Sequence, residues 1–143
     1  MRRCRRTFSP ISRAVRILLD THIWLWALTD AASIPAPLRA RLGSARDTFL
    51  ISAAGGWEIA VKASLGRLRL PVDTPTFLRA AIRDLPATEL AVALVHAARV
   101  AELPLHHRDP FDPILIAQAQ VEGLTIMTVD PAFRAYKVPL LGP

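Results

Sequence analysis

Short, uniformly apolar runs alternate along this chain with longer segments of helical periodicity. VRILL, ending at Asp20, has the length and apolarity of a buried parallel strand. THIWLWALT follows with apolar residues on all sides, as in a helix packed on a sheet. Pro35 and Pro37 open a second helix, in which Leu38 and Leu42 are spaced i, i+4. FLIS at 49–52 reads as the next strand, and Gly55 and Gly56 as the turn into a helix from about Trp57 to Leu65, closed by Gly66. Pro75 starts a helix with Phe77, Leu78, Ala81, Ile82 and Leu85 on its apolar side. TELAV (88–92) is a weaker strand, followed by an Ala-rich helix ending before Pro104. After the polar loop LPLHHRDPFD, Pro113 opens a helix through Glu122, which Gly123 ends. TIMTV (125–129) is the clearest late strand, and VPLL (138–141) a last edge strand.

Strands of four or five residues between helices of about ten predict an α/β fold on a mainly parallel sheet of about five strands. In such sheets ligands bind outside the carboxyl ends of the strands. Four acids fall there. Asp20 directly follows VRILL, Glu58 lies in the helix after FLIS, Asp112 starts the helix after HHRDPFD, and Asp130 follows TIMTV. Each also has a purely structural reading. Asp20, Asp112 and Asp130 all suit helix N-caps, the last two with Pro next in line, and Glu58 with Lys62 suits a surface i, i+4 ion pair. Convergence on one edge favours a site. Several carboxylates within a few Å require a compensating cation, and hard oxygen ligands suit Mg²⁺ or Mn²⁺. Metal-dependent phosphodiester hydrolysis is the natural chemistry of such a cluster.

LLDTHIWLWAL, ISAAGGWEIAVKASLGRLRLP, LPLHHRDPFDPILIAQAQVEGLTIMTVDPAF and YKVPLL together resemble a PIN domain of the VapC-type toxin group of bacterial toxin–antitoxin pairs. The resemblance runs from about Val15 to Leu141. It implies a three-layer α/β/α sandwich and an Mg²⁺- or Mn²⁺-dependent endoribonuclease, hydrolysing RNA through a metal-activated water and neutralised by a cognate antitoxin. It further implies a homodimer. Asp20, Glu58, Asp112 and Asp130 match the family's four acidic positions as catalytic and metal-binding residues. Asp109 is an alternative to Asp112, and Thr128 matches a small hydroxyl residue of the family. Where related sequences commonly carry Ser, this chain has Gly55, which puts the positioning of Glu58 in question. His107 and Arg108, with His106, stand beside the acids as candidate phosphate contacts. Trp24, Trp26 and Trp57 are expected in the core rather than stacked on bases.

Composition narrows the alternatives. The net charge of +6 suggests a nucleic-acid binder, with 18 basic against 12 acidic residues. Yet Arg2, Arg3, Arg5, Arg6 and Arg13 all lie in an acid-free stretch of fourteen residues, and the body beyond it is near neutral. Residues 1–14 read as a disordered basic extension ahead of a PIN domain at 15–143, and Val15 is a candidate for the true start. A lone Cys4 precludes an intrachain disulfide, and no apolar run approaches the roughly 18–20 residues of a membrane span. The expected setting is the cytoplasm. No G-x-S-x-G, G-x-G-x-x-G or P-loop occurs, which removes most support for serine hydrolases and nucleotide-cofactor enzymes. Two rivals remain. One is a catalytically idle PIN-like module binding RNA or protein. The other is a phosphoryl-transfer enzyme using Asp20 as nucleophile, disfavoured because His22 rather than a second Asp stands two residues on.

Overall fold

The computed structural model describes residues 14–104 and 109–142. Residues 1–13 of the proposed extension, Cys4 among them, lie outside the described residues, as do His106, His107 and Arg108. Five strands form one sheet: β1 (Arg16–Leu19), β2 (Thr48–Ser52), β3 (Ala87–Leu90), β4 (Thr125–Met127) and β5 (Leu140–Leu141), in the order β3-β2-β1-β4-β5. Every pairing is parallel. The helices are α1 (Thr21–Thr29), α2 (Ala36–Leu42), α3 (Ala53–Ser64), α4 (Thr74–Asp84), α5 (Leu94–Val100) and α6 (Asp112–Glu122). Short 3-10 turns occur at Ala31–Ser33 and Pro131–Ala135.

Alternation along the strands divides the core between two faces. Ile17, Leu19, Phe49, Ile51 and Met127 meet Ile23 and Trp24 of α1, Ile59 of α3, and Phe77 and Ala81 of α4. Leu18, Leu50 and Ile126 meet Leu115, Ile116 and Ala119 of α6, together with Phe133 and Tyr136. The result is the expected three-layer α/β/α sandwich. A polar link joins the layers. Ser52 donates to buried Gln118 of α6 at 2.6 Å, and Gln118 donates to the Ala91 carbonyl at 3.2 Å.

Several elements differ from expectation, each for a physical reason. Gly55 and Gly56 are not a turn, because α3 begins at Ala53, directly after β2. Ser52 caps it, accepting from the Ala54 amide at 3.0 Å, so the glycines fall inside the helix. On α4 only Phe77 and Ala81 are buried, whereas Ile82 is 57% exposed at the margin of the packed face. The strand expected at 125–129 stops at Met127, where Thr128 and Asp130 enter side-chain bonds. Trp24 is buried as expected, but Trp57 lies on the outer side of α3 and is 62% exposed. Gly123 does end α6, in the left-handed conformation (φ 66°) that suits a residue without Cβ.

Candidate active site

Register alone places the first contact of the site. Leu19 pairs with Met127 across β1 and β4, and the Asp20 amide continues the ladder by donating to the Met127 carbonyl at 2.9 Å. One residue further, Asp20 stands beside Thr128, whose hydroxyl donates to Asp20 Oδ2 at 2.8 Å. The same Thr128 oxygen accepts from the Asp130 amide at 3.0 Å. Asp20 occupies the N-cap position of α1, yet its side chain makes no cap bond; its carbonyl accepts from Ile23 and Trp24 instead. The carboxylate therefore faces the site. Its burial pushes its pKa above the ordinary value, opposed by the Thr128 bond, by His22 and by the Thr21 amide, and reinforced by the charge of Glu58.

Glu58 sits on the inward face of α3 with Ala54, Gly55 and Ile59. It is buried, and Lys62, one turn on, donates to its Oε2 at 2.6 Å. The anticipated i, i+4 pair exists, but it is not a surface pair: the Glu58 side chain is 4% exposed and that of Lys62 34%. Burial works to lower the Lys62 pKa. The bond to Glu58 and the charges of Glu58, Asp109 and Asp112 outweigh it and hold the ammonium above its ordinary value. One cation thus reports three acids around it, drawn from α3 and from the segment entering α6.

Asp112 is not the helix cap that its following Pro suggested. It is the first residue of α6, after Phe111 at the cap position, and is buried. Asp109 instead accepts from the Phe111 amide at 2.8 Å, closing a local turn. Asp130 is the cap that its sequence predicted. It is exposed, and its Oδ1 accepts from the Ala132 amide at 2.9 Å at the start of the 3-10 turn. Asp20, Glu58 and Asp112 are thus buried, with Asp20 bonded to Thr128 and Glu58 to Lys62, while half-buried Asp109 and exposed Asp130 lie at the rim. Lys62 as the counter-cation and the Ser52–Gln118 link were not anticipated as parts of the site. A lone Gln within the apolar run ILIAQA was the available signal for the link.

Among the described residues, no three His, Cys, Asp or Glu side chains stand close enough together to hold a metal ion. The donors nevertheless fit a hard divalent cation in kind. They are carboxylates in a buried setting, and Asp20 carries a charge that burial disfavours and a cation would restore. Asp20 and Glu58, with Asp112 or Asp109 and with Asp130 beside them, are the candidates to hold it.

A PIN domain family model matches residues 17–139. The chain belongs to the PIN domain family. PIN domains are generally nucleases and typically use divalent metals. Among solved structures, this PIN domain is similar to VapBC2 from Rickettsia felis bound to a DNA fragment from their promoter (15% identity, TM-score 0.64, covering 90% of this chain and 98% of the other). It is similar in the same way to DNA-bound VapBC from Salmonella typhimurium (19%, 0.64, 90% and 98%) and to FitAcB from Neisseria gonorrhoeae (21%, 0.59, 87% and 96%). At these identities the likeness is one of fold. No curated protein matches the sequence. Among the described residues, no helix of this PIN domain is long and apolar enough to cross a membrane.

Proposed function

We propose that this chain is a metal-dependent endoribonuclease, the VapC-type toxin of a toxin–antitoxin pair, acting in the cytoplasm and restrained by a cognate antitoxin. The observation that carries this reading is the buried Asp20 carboxylate at the end of β1, held by Thr128 and sharing its field with Glu58. A buried acid whose charge burial disfavours, and which makes no cap bond, marks a candidate functional site. The similar VapBC and FitAcB structures are toxin–antitoxin complexes, which supports an antitoxin partner.

Bound by Asp20, Glu58 and Asp112, Mg²⁺ or Mn²⁺ would polarise the phosphodiester and acidify a water. The chain's own residues do the rest. Thr128 fixes the orientation of Asp20 through its hydroxyl, and the Asp130 amide fixes Thr128 in turn. Lys62 balances the charge of Glu58, Asp109 and Asp112. Asp130 is assigned an auxiliary role at the rim. His107 and Arg108, between α5 and α6 in the chain, are assigned contacts with the RNA backbone.

A homodimer is part of the proposal, supported by an apolar surface. Trp57 and Val92 line a cleft of about 490 Å³ between α3, α5 and α6, and Leu94 (88% exposed) and Val95 follow Val92 in sequence. Exposed apolar residues so grouped suit a partner surface. The rival reading, an idle module that binds RNA or protein, is favoured by the lack of three converging ligand side chains among the described residues. The deciding experiment incubates purified protein with RNA and with DNA, with Mn²⁺ or Mg²⁺, beside Asp20→Asn. Metal-dependent cleavage of RNA that Asp20→Asn abolishes is expected. Absence of cleavage by the wild type, with toxicity in cells unchanged by the substitution, overturns the proposal.

A further inference from the structure

Two adjacent glycines stand in the first turn of α3, where alanine would serve the helix better. Their surroundings differ. A Cβ at Gly56 would meet only Leu78, at 3.7 Å, an ordinary contact. A Cβ at Gly55 would stand 2.8 Å from Thr21 Oγ1, closer than packed atoms tolerate, and a tight 3.2 Å from Trp24 Nε1. Thr21 and Trp24 are both buried, and these same two polar atoms have no hydrogen-bond partner among the described residues. Buried polar atoms are ordinarily bonded, so α1 meets α3 here through a close approach that leaves hydrogen bonds unmade.

Thr21 directly follows Asp20, and Glu58 is three residues beyond Gly55 on the same buried face of α3. The contact at Gly55 is therefore a point at which the helix after β1 and the helix after β2 fix each other's position, close in sequence to both acids. We propose that Gly55 is a positioning residue, whose missing side chain lets α3 close on α1 and thereby sets the spacing between the Asp20 and Glu58 carboxylates. The inference rests on the reading of Asp20 and Glu58 as metal ligands.

The test compares Gly55→Ala, Gly56→Ala and the double variant Gly55→Ala/Thr21→Ala, titrating each folded protein with Mn²⁺ by calorimetry. Gly55→Ala is expected to weaken Mn²⁺ binding about tenfold, the lower end of the usual cost of disturbing a ligand's support. Removing the Thr21 hydroxyl makes room for the new Cβ, so the double variant should recover most of the loss. Gly56→Ala should bind as the wild type does. Wild-type affinity in a folded Gly55→Ala, or no recovery in the double variant, overturns the proposal. A second readout separates this outcome from failure of the functional reading. If the wild type binds no Mn²⁺, the spacing is read from the Trp24 indole N–H resonance, assigned with Trp24→Phe. A shift in Gly55→Ala that is absent in Gly56→Ala supports the helix contact, and an unmoved resonance overturns it.

Discussion

The acids at the carboxyl edge of the sheet fall into two groups that look alike in sequence and differ in physics. Asp109 and Asp130 lie at the rim, and each carboxylate accepts a backbone amide two residues ahead, the ordinary work of an aspartate at a turn or cap. Asp20 and Glu58 lie inside, within an edge closed by β1, β4 and α3. Among the described residues Asp20 accepts from the Thr128 hydroxyl across the sheet, and Glu58 from Lys62. Local bonds account for the rim acids, because a solvated carboxylate gains by capping and loses little. They do not account for the inner pair, because burying a charged group is unfavourable unless something else compensates it. The excess of buried negative charge over its one described lysine partner marks the chemistry.

Substitutions that treat the groups alike should give unlike results. The largest effect is expected at Asp20. Asp20→Asn should lower metal-dependent RNA cleavage by 10²–10³-fold or more, on the order of the cost of removing one electrostatic contributor from an active site. Without metal the same variant should melt at a higher temperature than the wild type. Burial raises the Asp20 pKa, so the ionised form opposes folding above that pKa. The gain should shrink as pH falls through the raised pKa, where the wild-type carboxyl is protonated too; a variant less stable at neutral pH would contradict this. Lys62→Met should come next, because it leaves Glu58 buried without its cation. A fully buried pair loses about 3–5 kcal/mol in this way, and a third-exposed lysine should lose less, about 1–3 kcal/mol in chemical denaturation. Added Mn²⁺ should restore more stability to this variant than it adds to the wild type.

Thr128→Val tests the link between the groups. It removes a hydrogen bond that lowers the Asp20 pKa, so the acid limb of the cleavage profile should move to higher pH, with about 0.5–1.5 kcal/mol of stability lost. Asp130 should show the smallest effect. Asparagine caps as well as aspartate, so Asp130→Asn should keep the wild-type melting temperature, whereas Asp130→Ala should lose about 1 kcal/mol. A cleavage loss in Asp130→Asn as deep as that in Asp20→Asn would erase the distinction between rim and interior.

Local signals carried the fold far. Uniform apolar runs identified β1 and β2 because a strand covered on both faces needs no alternation, and Pro113 with Gly123 bracketed α6 through fixed backbone preferences. They failed where a distant partner outweighed them. Two glycines read as a turn stand within a helix, because Ser52 capped α3 and the contact with α1 required a residue without Cβ. Trp57 read as core lies on the outer face of α3, since its phase on the helix follows from where β2 ends rather than from its own hydrophobicity. Asp112 and Asp130, both followed by Pro, were indistinguishable in sequence; one is buried and the other caps.

What the sequence determined by itself was the order of elements, the parallel sheet and the set of acids at its carboxyl ends, because these depend on residues near one another in the chain. Which acids lie inside was decided only by the tertiary structure. Burial depends on strand register and on helix spacing. Asp20 meets Thr128 across 108 residues because β1 pairs with β4, and α3 approaches α1 where Gly55 leaves room. A carboxylate's chemistry follows from its surroundings, and those are assembled from parts of the chain that sequence proximity does not connect.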